Sequence, residues 1–408
     1  MAIEFKQHTL SNGLTIVAEI APEAHTAAMG FFVKTGARDE TPDLMGVSHF
    51  LEHMMFKGTD NRTAEQVDQE FDAIGADHNA FTSSEITAFW AHSLPESLPK
   101  AGEILSDILR PALRQEDFDA EKKVIMEEIA MYQDVPFWIL YERALEVYYD
   151  QHPLAHRVLG TPETIAPMPR DGMLEYFQRR YSADNTTVAL AGKVDFDRMV
   201  ELVERHCGEW QRTDTKREQP KFTPLPNEFT LEHEAVNRAY LLMVSPAPSL
   251  DEEERYAMSM LGQILGDSDG SRLYWALIET GLAEEAQAQY DGRDGLGDLL
   301  AFACCDPADL EEVQATIRRE MDGLVESLTE DDLQRVRSKV ATGTTLQGEL
   351  PGGRMRRLGQ LWTYFGEYRS LEDELAKINA VTLNDLRAVA ESYPLTPIVT
   401  GRLIPKGG

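Results

Sequence analysis

Short apolar runs alternate with longer segments of helical periodicity along the first 210 residues of the chain. Two β-rich runs flank Asn12 and Gly13, a strong two-residue turn signal, so residues 3–20 are predicted to form a hairpin. Apolar positions spaced three and four residues apart predict helices, and shorter apolar runs predict strands. The predicted strands are 27–34, two within 77–90, and 186–191; the predicted helices are about 46–57, 63–74, 94–109, 116–132, 137–149, 171–181 and 196–210.

A polar, Pro-rich stretch at residues 211–227 interrupts this pattern, which then restarts. The second half has predicted strands at 238–245, 283–290, 298–305 and 397–403, with helices between them, including 250–265 and 271–280. Because both halves mix strands with long helices in a similar order, the sequence predicts an α+β protein of two related domains. Each domain is expected to pack a mixed or antiparallel sheet with helices. The expected boundaries are 1–212 for the first domain, 213–228 for a linker and 229–408 for the second domain.

The charge of the chain narrows its possible partners. The 408 residues include 39 Lys or Arg and 70 Asp or Glu, and the formal net charge is −31. Nucleic acids and anionic membranes are also negative, so neither is expected to be a partner. No apolar run approaches the roughly 20 residues of a membrane span.

The N-terminus and the cysteines indicate a reducing compartment. The first residues contain no basic patch followed by an apolar stretch, so no signal peptide is expected. The three cysteines are Cys207 and the adjacent Cys304 and Cys305, an odd number in which two neighbours are poorly placed to bond to each other. Reduced thiols and a cytoplasmic location are therefore expected.

The candidate chemistry begins with His49, Glu52 and His53, which form an H-x-x-E-H pattern within a predicted helix. At about 100° per residue, the three side chains lie on one face. The opposite face is apolar and contains Val47, Phe50, Leu51, Met54 and Met55. Two imidazoles four residues apart can bind one tetrahedral metal, and the carboxylate can reach a water beside it. A solvated polar face is the alternative, and it would be the better interpretation of a single histidine.

A third metal ligand is expected from the helix at 116–132. Glu121 and Glu128 are seven residues apart and therefore lie on one face, within about 60° of Phe118, Val124, Ile125 and Tyr132. Charges on an inward stripe usually face a cation. Salt bridges to Arg or Lys are one alternative, but the incomplete two-His site favours a metal. Helix geometry alone leaves both Glu121 and Glu128 as candidates.

These motifs resemble the pitrilysin, insulinase and mitochondrial-processing-peptidase family, the inverzincins, in its short two-domain bacterial form. The resemblance lies in 49–59, 121–129 and 79–83, and in Gly270-Ser271-Arg272-Leu273 and Thr280-Gly281-Leu282-Ala283 of the second half. It implies that Glu128 completes the metal site and that Glu121 supports it. It also implies that the edge strand at Asn79, Ala80, Phe81 and Thr82 docks substrate, and that the chain is one half of a clamshell.

The resemblance implies a zinc-dependent endopeptidase that hydrolyses extended oligopeptides in a closed chamber. One Zn²⁺ per chain would be bound by His49, His53 and Glu128, with Glu52 as the general base. An extended peptide would add to the sheet edge through main-chain hydrogen bonds.

One departure from the family pattern lies in the second half. Active relatives usually carry an Arg and a Tyr flanking the Gly-Leu-Ala segment; here Ile278 or Leu277 occupies the Arg position and Glu284 the Tyr position. A dimer is therefore expected, and the missing pair favours a heterodimer in which this chain is the zinc subunit. A homodimer in which Arg293 or Tyr290 substitutes is a second possibility. A non-catalytic scaffold subunit of a larger complex is the alternative function.

Overall fold

The protein is described by a computed structural model that covers residues 3–407. The strands are β1 (Glu4–Thr9), β2 (Thr15–Ile20), β3 (Ala27–Val33), β4 (Asp77–Thr82), β5 (Thr87–Ser93), β6 (Thr186–Gly192), β7 (Asn227–His233), β8 (Ala239–Pro246), β9 (Glu285–Arg293), β10 (Leu296–Cys305) and β11 (Val399–Pro405). The helices are α1 (Val47–Met55), α2 (Ala64–Ala73), α3 (Leu98–Ile108), α4 (Gln115–Gln133), α5 (Pro136–Tyr149), α6 (Pro162–Ile165), α7 (Arg170–Arg180), α8 (Phe196–Cys207), α9 (Arg255–Gly266), α10 (Leu310–Gly323), α11 (Glu330–Gln347), α12 (Pro351–Phe365), α13 (Leu371–Ala380) and α14 (Leu383–Ser392), and Tyr274–Ile278 forms a π-helix.

The strands form two sheets of related topology. Their orders are β1-β2-β6-β3-β5-β4 and β7-β11-β8-β10-β9. In the first sheet, β2 and β6 are parallel, and the following pairs to β3, β5 and β4 are antiparallel. The second sheet repeats this series, with β7 and β11 parallel and the pairs to β8, β10 and β9 antiparallel. The prediction of two related α+β domains is therefore confirmed.

Each of the two compact units is assembled from three separate segments of chain. Unit 1 comprises the chain up to Ile129 together with His156–Glu218 and Thr345–Ser370; unit 2 comprises Ala130–Ala155, Gln219–Thr344 and the chain from Leu371 onwards. Helix α12 packs on β2, β3 and β6 in unit 1, whereas α5 packs on β8 and β11 in unit 2. The units thus differ from the contiguous ranges expected from the sequence. The reason is that α5 and α12 bury their apolar sides on the sheet of the other half of the chain.

Small residues and a buried acid hold α12 on the first sheet. A Cβ atom at Gly359 would lie 2.1 Å from the Phe32 ring, so only glycine allows this close approach. Glu19 on β2 is completely buried and accepts hydrogen bonds from Arg354 at 3.0 Å and from Arg357 at 2.6 Å. A buried carboxylate paired in this way fixes the position of the helix that carries both cations.

Strand β7 is an element that the hydrophobic pattern does not predict. It begins at Asn227, inside the expected linker, and its residues are exposed or half-buried along the whole strand. Such residues give no apolar run, because β7 lies at the edge of its sheet. Its backbone pairing with β11 makes it a strand.

Two further expectations from the sequence concern reduced cysteines and the lack of a membrane-spanning segment. Cys207, Cys304 and Cys305 are all buried and free. Burial raises the pKa of the Cys207 thiol to about 12, which suits a core side chain better than a reactive one. Across residues 3–407, no helix combines the length and the apolar character needed to cross a membrane.

Candidate metal centre

Helix α1 carries the H-x-x-E-H residues with its apolar face in the core of unit 1. Phe50, Leu51 and Met54 are fully or almost fully buried, and the Phe50 ring stacks on Phe118 of α4 at a centroid distance of 4.7 Å. On the other face, the rings of His49 and His53 are 4.7 Å apart. His49 is only 8% exposed, so this face is not an ordinary solvated surface.

Helix α4 brings Glu128 to the two imidazoles. Its Oε2 lies 3.7 Å from Nε2 of His49 and 3.6 Å from Nε2 of His53. One ligand atom from each of the three residues lies within 4.8 Å of the other two. Zinc bonds of about 2.0–2.1 Å in a tetrahedral arrangement separate neighbouring ligand atoms by roughly 3.4 Å. The donor set and its spacing therefore fit a zinc ion.

Glu121 occupies a different place, on the far side of the His53 ring. Its Oε1 accepts a hydrogen bond from Nδ1 of His53 at 2.8 Å, and its Oε2 pairs with Nζ of Lys57 at 2.6 Å. Although burial acts to raise the pKa of Glu121, these two donors lower it. The ionised carboxylate keeps the proton of the neutral His53 ring on Nδ1, so that Nε2 is the atom that could bind a metal. Between the two candidates, Glu128 therefore faces the site and Glu121 orients His53.

The buried apolar face of α4 contains fewer residues than the helical periodicity predicts. Val124, placed on it by the sequence, is 45% exposed. The residues that reach the core are Phe118, Ile125 and Ile129, which follow one another at intervals of seven and four. This spacing leaves Val124 on the exposed side of α4.

His49 differs from His53 in its surroundings. Burial, helped by the nearby His53, lowers the pKa of His49 to about 3, so the ring is neutral at physiological pH. A neutral imidazole is the form that binds metals. Its Nδ1 is buried and has no hydrogen-bond partner among the described residues. Only one of the two imidazoles is thus oriented by a carboxylate.

Glu52 is outside the His-His-Glu group and contacts strand β4 instead. The hydroxyl of Thr82 donates a hydrogen bond of 2.6 Å to Oε2 of Glu52. Burial raises the pKa of Glu52, and the bond from Thr82 opposes this shift. A carboxylate whose pKa is raised towards neutrality is suited to act as a general base.

Strand β4 lies at the edge of the first sheet, where the sequence expects substrate to dock. The half-buried Ala80 packs against the core below α1, and Phe81 packs against the cluster that contains α12. The N–H of Ala80 donates to Oδ1 of the preceding Asn79 at 2.8 Å. An edge donor covered by its own neighbour is protected from unwanted pairing. An incoming peptide strand would have to displace Asn79 from this donor.

The residues that could replace the missing Arg and Tyr are engaged within unit 2. Tyr290 donates its hydroxyl proton to the Pro248 carbonyl at 2.8 Å, and Arg293 contacts the fully buried Asp298 at 2.9 Å. The residues at the positions where active relatives usually carry the Arg and the Tyr are engaged as well. Leu277 is buried in the core, and Glu284 pairs with Arg238 at 2.6 Å.

Two of these contacts are not predicted by the sequence. Lys57 follows His53 by four residues, a spacing that would place both on one face of the predicted helix and that could have indicated a shared partner. The family resemblance predicts that Thr82 docks substrate, whereas its bond to Glu52 joins residues thirty positions apart. No local signal connects them.

Comparison with known proteins identifies the family. Residues 15–162 match the family described as insulinase (peptidase family M16), and residues 167–340 match the peptidase M16 inactive domain. A Streptomyces coelicolor protein named an uncharacterized zinc protease is 33% identical over 396 residues, which cover 94% of this chain and 86% of that protein. The chain belongs to the insulinase family. Its membership supports a protease function, and the His-His-Glu group of this insulinase-family protein could bind a metal.

Solved structures share the fold over almost the whole chain. A protease from Helicobacter pylori has a TM-score of 0.92 at 21% identity and covers 98% of this chain and 100% of its own. A chain of Complex III2 from Candida albicans has a TM-score of 0.86 at 18% identity, covering 98% and 95%. At such low identity these likenesses extend to the architecture alone.

Proposed function

We propose that this insulinase-family protein is a zinc-dependent endopeptidase in which His49, His53 and Glu128 hold one zinc ion per chain. The observation that carries the proposal is the distance of 3.6–3.7 Å from one Glu128 oxygen to both Nε2 atoms. A set of two His and one Glu is typical of catalytic zinc sites, which keep a position for water, whereas structural zinc sites use four protein ligands.

Different side chains around this site have different roles in the proposed peptide hydrolysis. When bound, zinc supplies the Lewis acidity that polarises the scissile carbonyl and acidifies water. Glu52 takes the proton of the attacking water and transfers it to the leaving amine. Thr82 orients the Glu52 carboxylate through its hydrogen bond, and Glu121 holds His53 in the ligating tautomer.

The proposed substrates are extended oligopeptides that add to the β4 edge. Main-chain pairing tolerates varied side chains, so the class of substrate is broad. The net charge of −31 favours basic peptides among them. An added strand would pair beside Thr82 and so lie next to the carboxylate that serves as base.

We further propose that the active form is a dimer, with a partner chain supplying the missing Arg and Tyr. The engagement of Tyr290 and Arg293 within unit 2 supports this proposal, because neither side chain is available without breaking its present contacts. In a homodimer, other residues of this chain would have to take the place of the missing Arg and Tyr.

The alternative function is that of a non-catalytic scaffold. The missing Arg and Tyr favour it. The complete metal donor set beside Glu52 argues against it, because a scaffold has no use for these four side chains together.

Metal removal tests the proposal directly. We expect the purified chain to contain one zinc, measured by inductively coupled plasma mass spectrometry, and to cleave fluorogenic peptides. Activity should be weak alone and rise when a family member that carries the Arg and Tyr is added. A chelator should abolish cleavage, and added zinc should restore it. A chain that purifies without zinc and cleaves no peptide, even with such a partner, would be the scaffold.

Replacement of Thr82 tests its contact with Glu52. We expect Thr82→Val to lower kcat by roughly 10-fold to 100-fold with little change in KM, because a hydrogen bond to a charged group contributes about 1.5–3 kcal/mol. Thr82→Ser keeps the hydroxyl and should retain most of kcat. Steady-state kinetics on one peptide separates kcat from KM. Equal kcat values for the Val and Ser variants would show that this hydroxyl does not serve the base.

A further inference from the structure

Glu40 is a buried acid without a basic partner. It is 5% exposed, and no Lys, Arg or His of residues 3–407 forms an ion pair with it. Burying a lone carboxylate costs several kcal/mol unless other donors replace water. Its hydrogen-bond partners therefore explain why it is tolerated.

Both carboxylate oxygens of Glu40 bind the first turn of α1. Oε2 accepts the N–H of Gly46 at 2.7 Å, and Oε1 accepts the N–H of Ser48 at 2.7 Å. The N-cap residue Gly46 has a left-handed conformation, with φ of 95°, and no side-chain cap. By contrast, Thr63 and Thr382 cap the first turns of α2 and α14 locally. Burial raises the pKa of Glu40 to about 8, and the two backbone donors oppose this shift. Helix α1 is thus capped from six residues upstream by a carboxyl group that accepts two backbone N–H groups.

A chain of hydroxyl groups fixes the same turn from a second direction. Ser48 bonds through its hydroxyl to Tyr176 at 2.7 Å, and Tyr176 bonds to Thr35 at 2.7 Å. All three residues are completely or almost completely buried. Ser48 precedes His49 directly, so both its backbone N–H and its side chain are held one residue from the first histidine.

From these contacts we propose that Glu40 is a positioning residue for the metal centre, an inference that rests on the proposed zinc site. By holding Gly46 and Ser48, Glu40 sets the depth and rotation of α1 and therefore the direction in which His49 and His53 point. A rotation of α1 by about 10° would move each Nε2 by roughly 1 Å, and metal sites tolerate about half of that.

The test measures zinc affinity in the full chain by competition with a chromophoric chelator. Glu40→Gln places an amide N–H₂ against a backbone N–H, and we expect it to weaken zinc binding by roughly 10-fold to 100-fold. The matched control is Glu19→Gln, which disturbs an equally buried acid of unit 1 that contacts α12 instead of α1. We expect this control to lower Tm but to keep zinc affinity within about threefold of wild type.

The visible spectrum of the cobalt-substituted protein supplies a second readout, because it reports ligand geometry independently of stability. We expect it to change in Glu40→Gln and to stay the same in Glu19→Gln. Should Glu40→Gln fail to fold, Glu40→Asp shortens the side chain by one methylene, so that it holds the N–H groups of Gly46 and Ser48 less well, and should weaken zinc binding by roughly 3-fold to 10-fold. Wild-type affinity and spectrum in Glu40→Gln, or in Glu40→Asp where it replaces it, would overturn the inference alone. A wild-type chain that binds no zinc would overturn the proposed function as well.

Discussion

Glu52→Gln is expected to lower peptide hydrolysis by roughly 100-fold to 10,000-fold, the usual contribution of a general base. The amide oxygen can still accept the hydrogen bond from Thr82, so the side chain should keep its position while losing its ability to take a proton. Zinc content should remain at one per chain, because Glu52 is not part of the His-His-Glu group. The defect should therefore appear in kcat, measured with a fluorogenic peptide at saturating concentration.

Glu65→Gln is a suitable control for this experiment. Glu65 lies on the exposed face of α2, where it accepts a hydrogen bond from Gln69. The same change of charge at this position should leave kcat and zinc content unaltered. If Glu52→Gln retained wild-type turnover, another group would have to carry the proton, and the proposed mechanism would be abandoned.

Glu128→Gln should weaken zinc binding by more than about 100-fold, which exceeds the 10–100-fold loss typical of an outer partner of a metal ligand. The reason is that Glu128 offers the only carboxylate oxygen that, within the described chain, faces both Nε2 atoms. An amide oxygen is a poorer zinc ligand because it lacks the negative charge. Chelator competition gives the affinity, and hydrolysis should fall in proportion to the zinc that is lost.

The neighbouring Glu127 provides a matched control on the same helix. It is exposed, and Glu127→Gln makes the identical chemical change one residue away. Its zinc affinity should equal that of the wild type. An unchanged affinity in Glu128→Gln would instead indicate that another carboxylate completes the site, and Glu121 would be the next to examine because it already contacts His53.

Much of the candidate site follows from helical periodicity, which is a local property. His49 and His53 must share a face because they are four residues apart, and that face must be opposite to Phe50 and Leu51. The two carboxylates of α4 share a face for the same reason. The family resemblance then separated the roles of Glu121 and Glu128, and the distances agree with that separation.

The sequence does not predict the capping of α1, because the donors (the N–H groups of Gly46 and Ser48) and the acceptor (Glu40) form no recognised local pattern. The sequence before α1 has a glycine where Ser, Thr, Asp or Asn would signal an N-cap. Glu40 performs this function across a loop whose shape depends on the surrounding fold. The bond between Thr82 and Glu52 depends in the same way on how the edge of the sheet meets α1.

The sequence by itself thus determined the two-domain α+β class, most of the strands and helices, and the residue types of the candidate metal site. Tertiary structure alone decided what orients Glu52, what caps α1, and which sheet α5 and α12 cover. The physical reason is the range of the interactions. Periodicity is fixed by bonds along the backbone, whereas these contacts depend on where separate segments pack, and packing is set by the whole core.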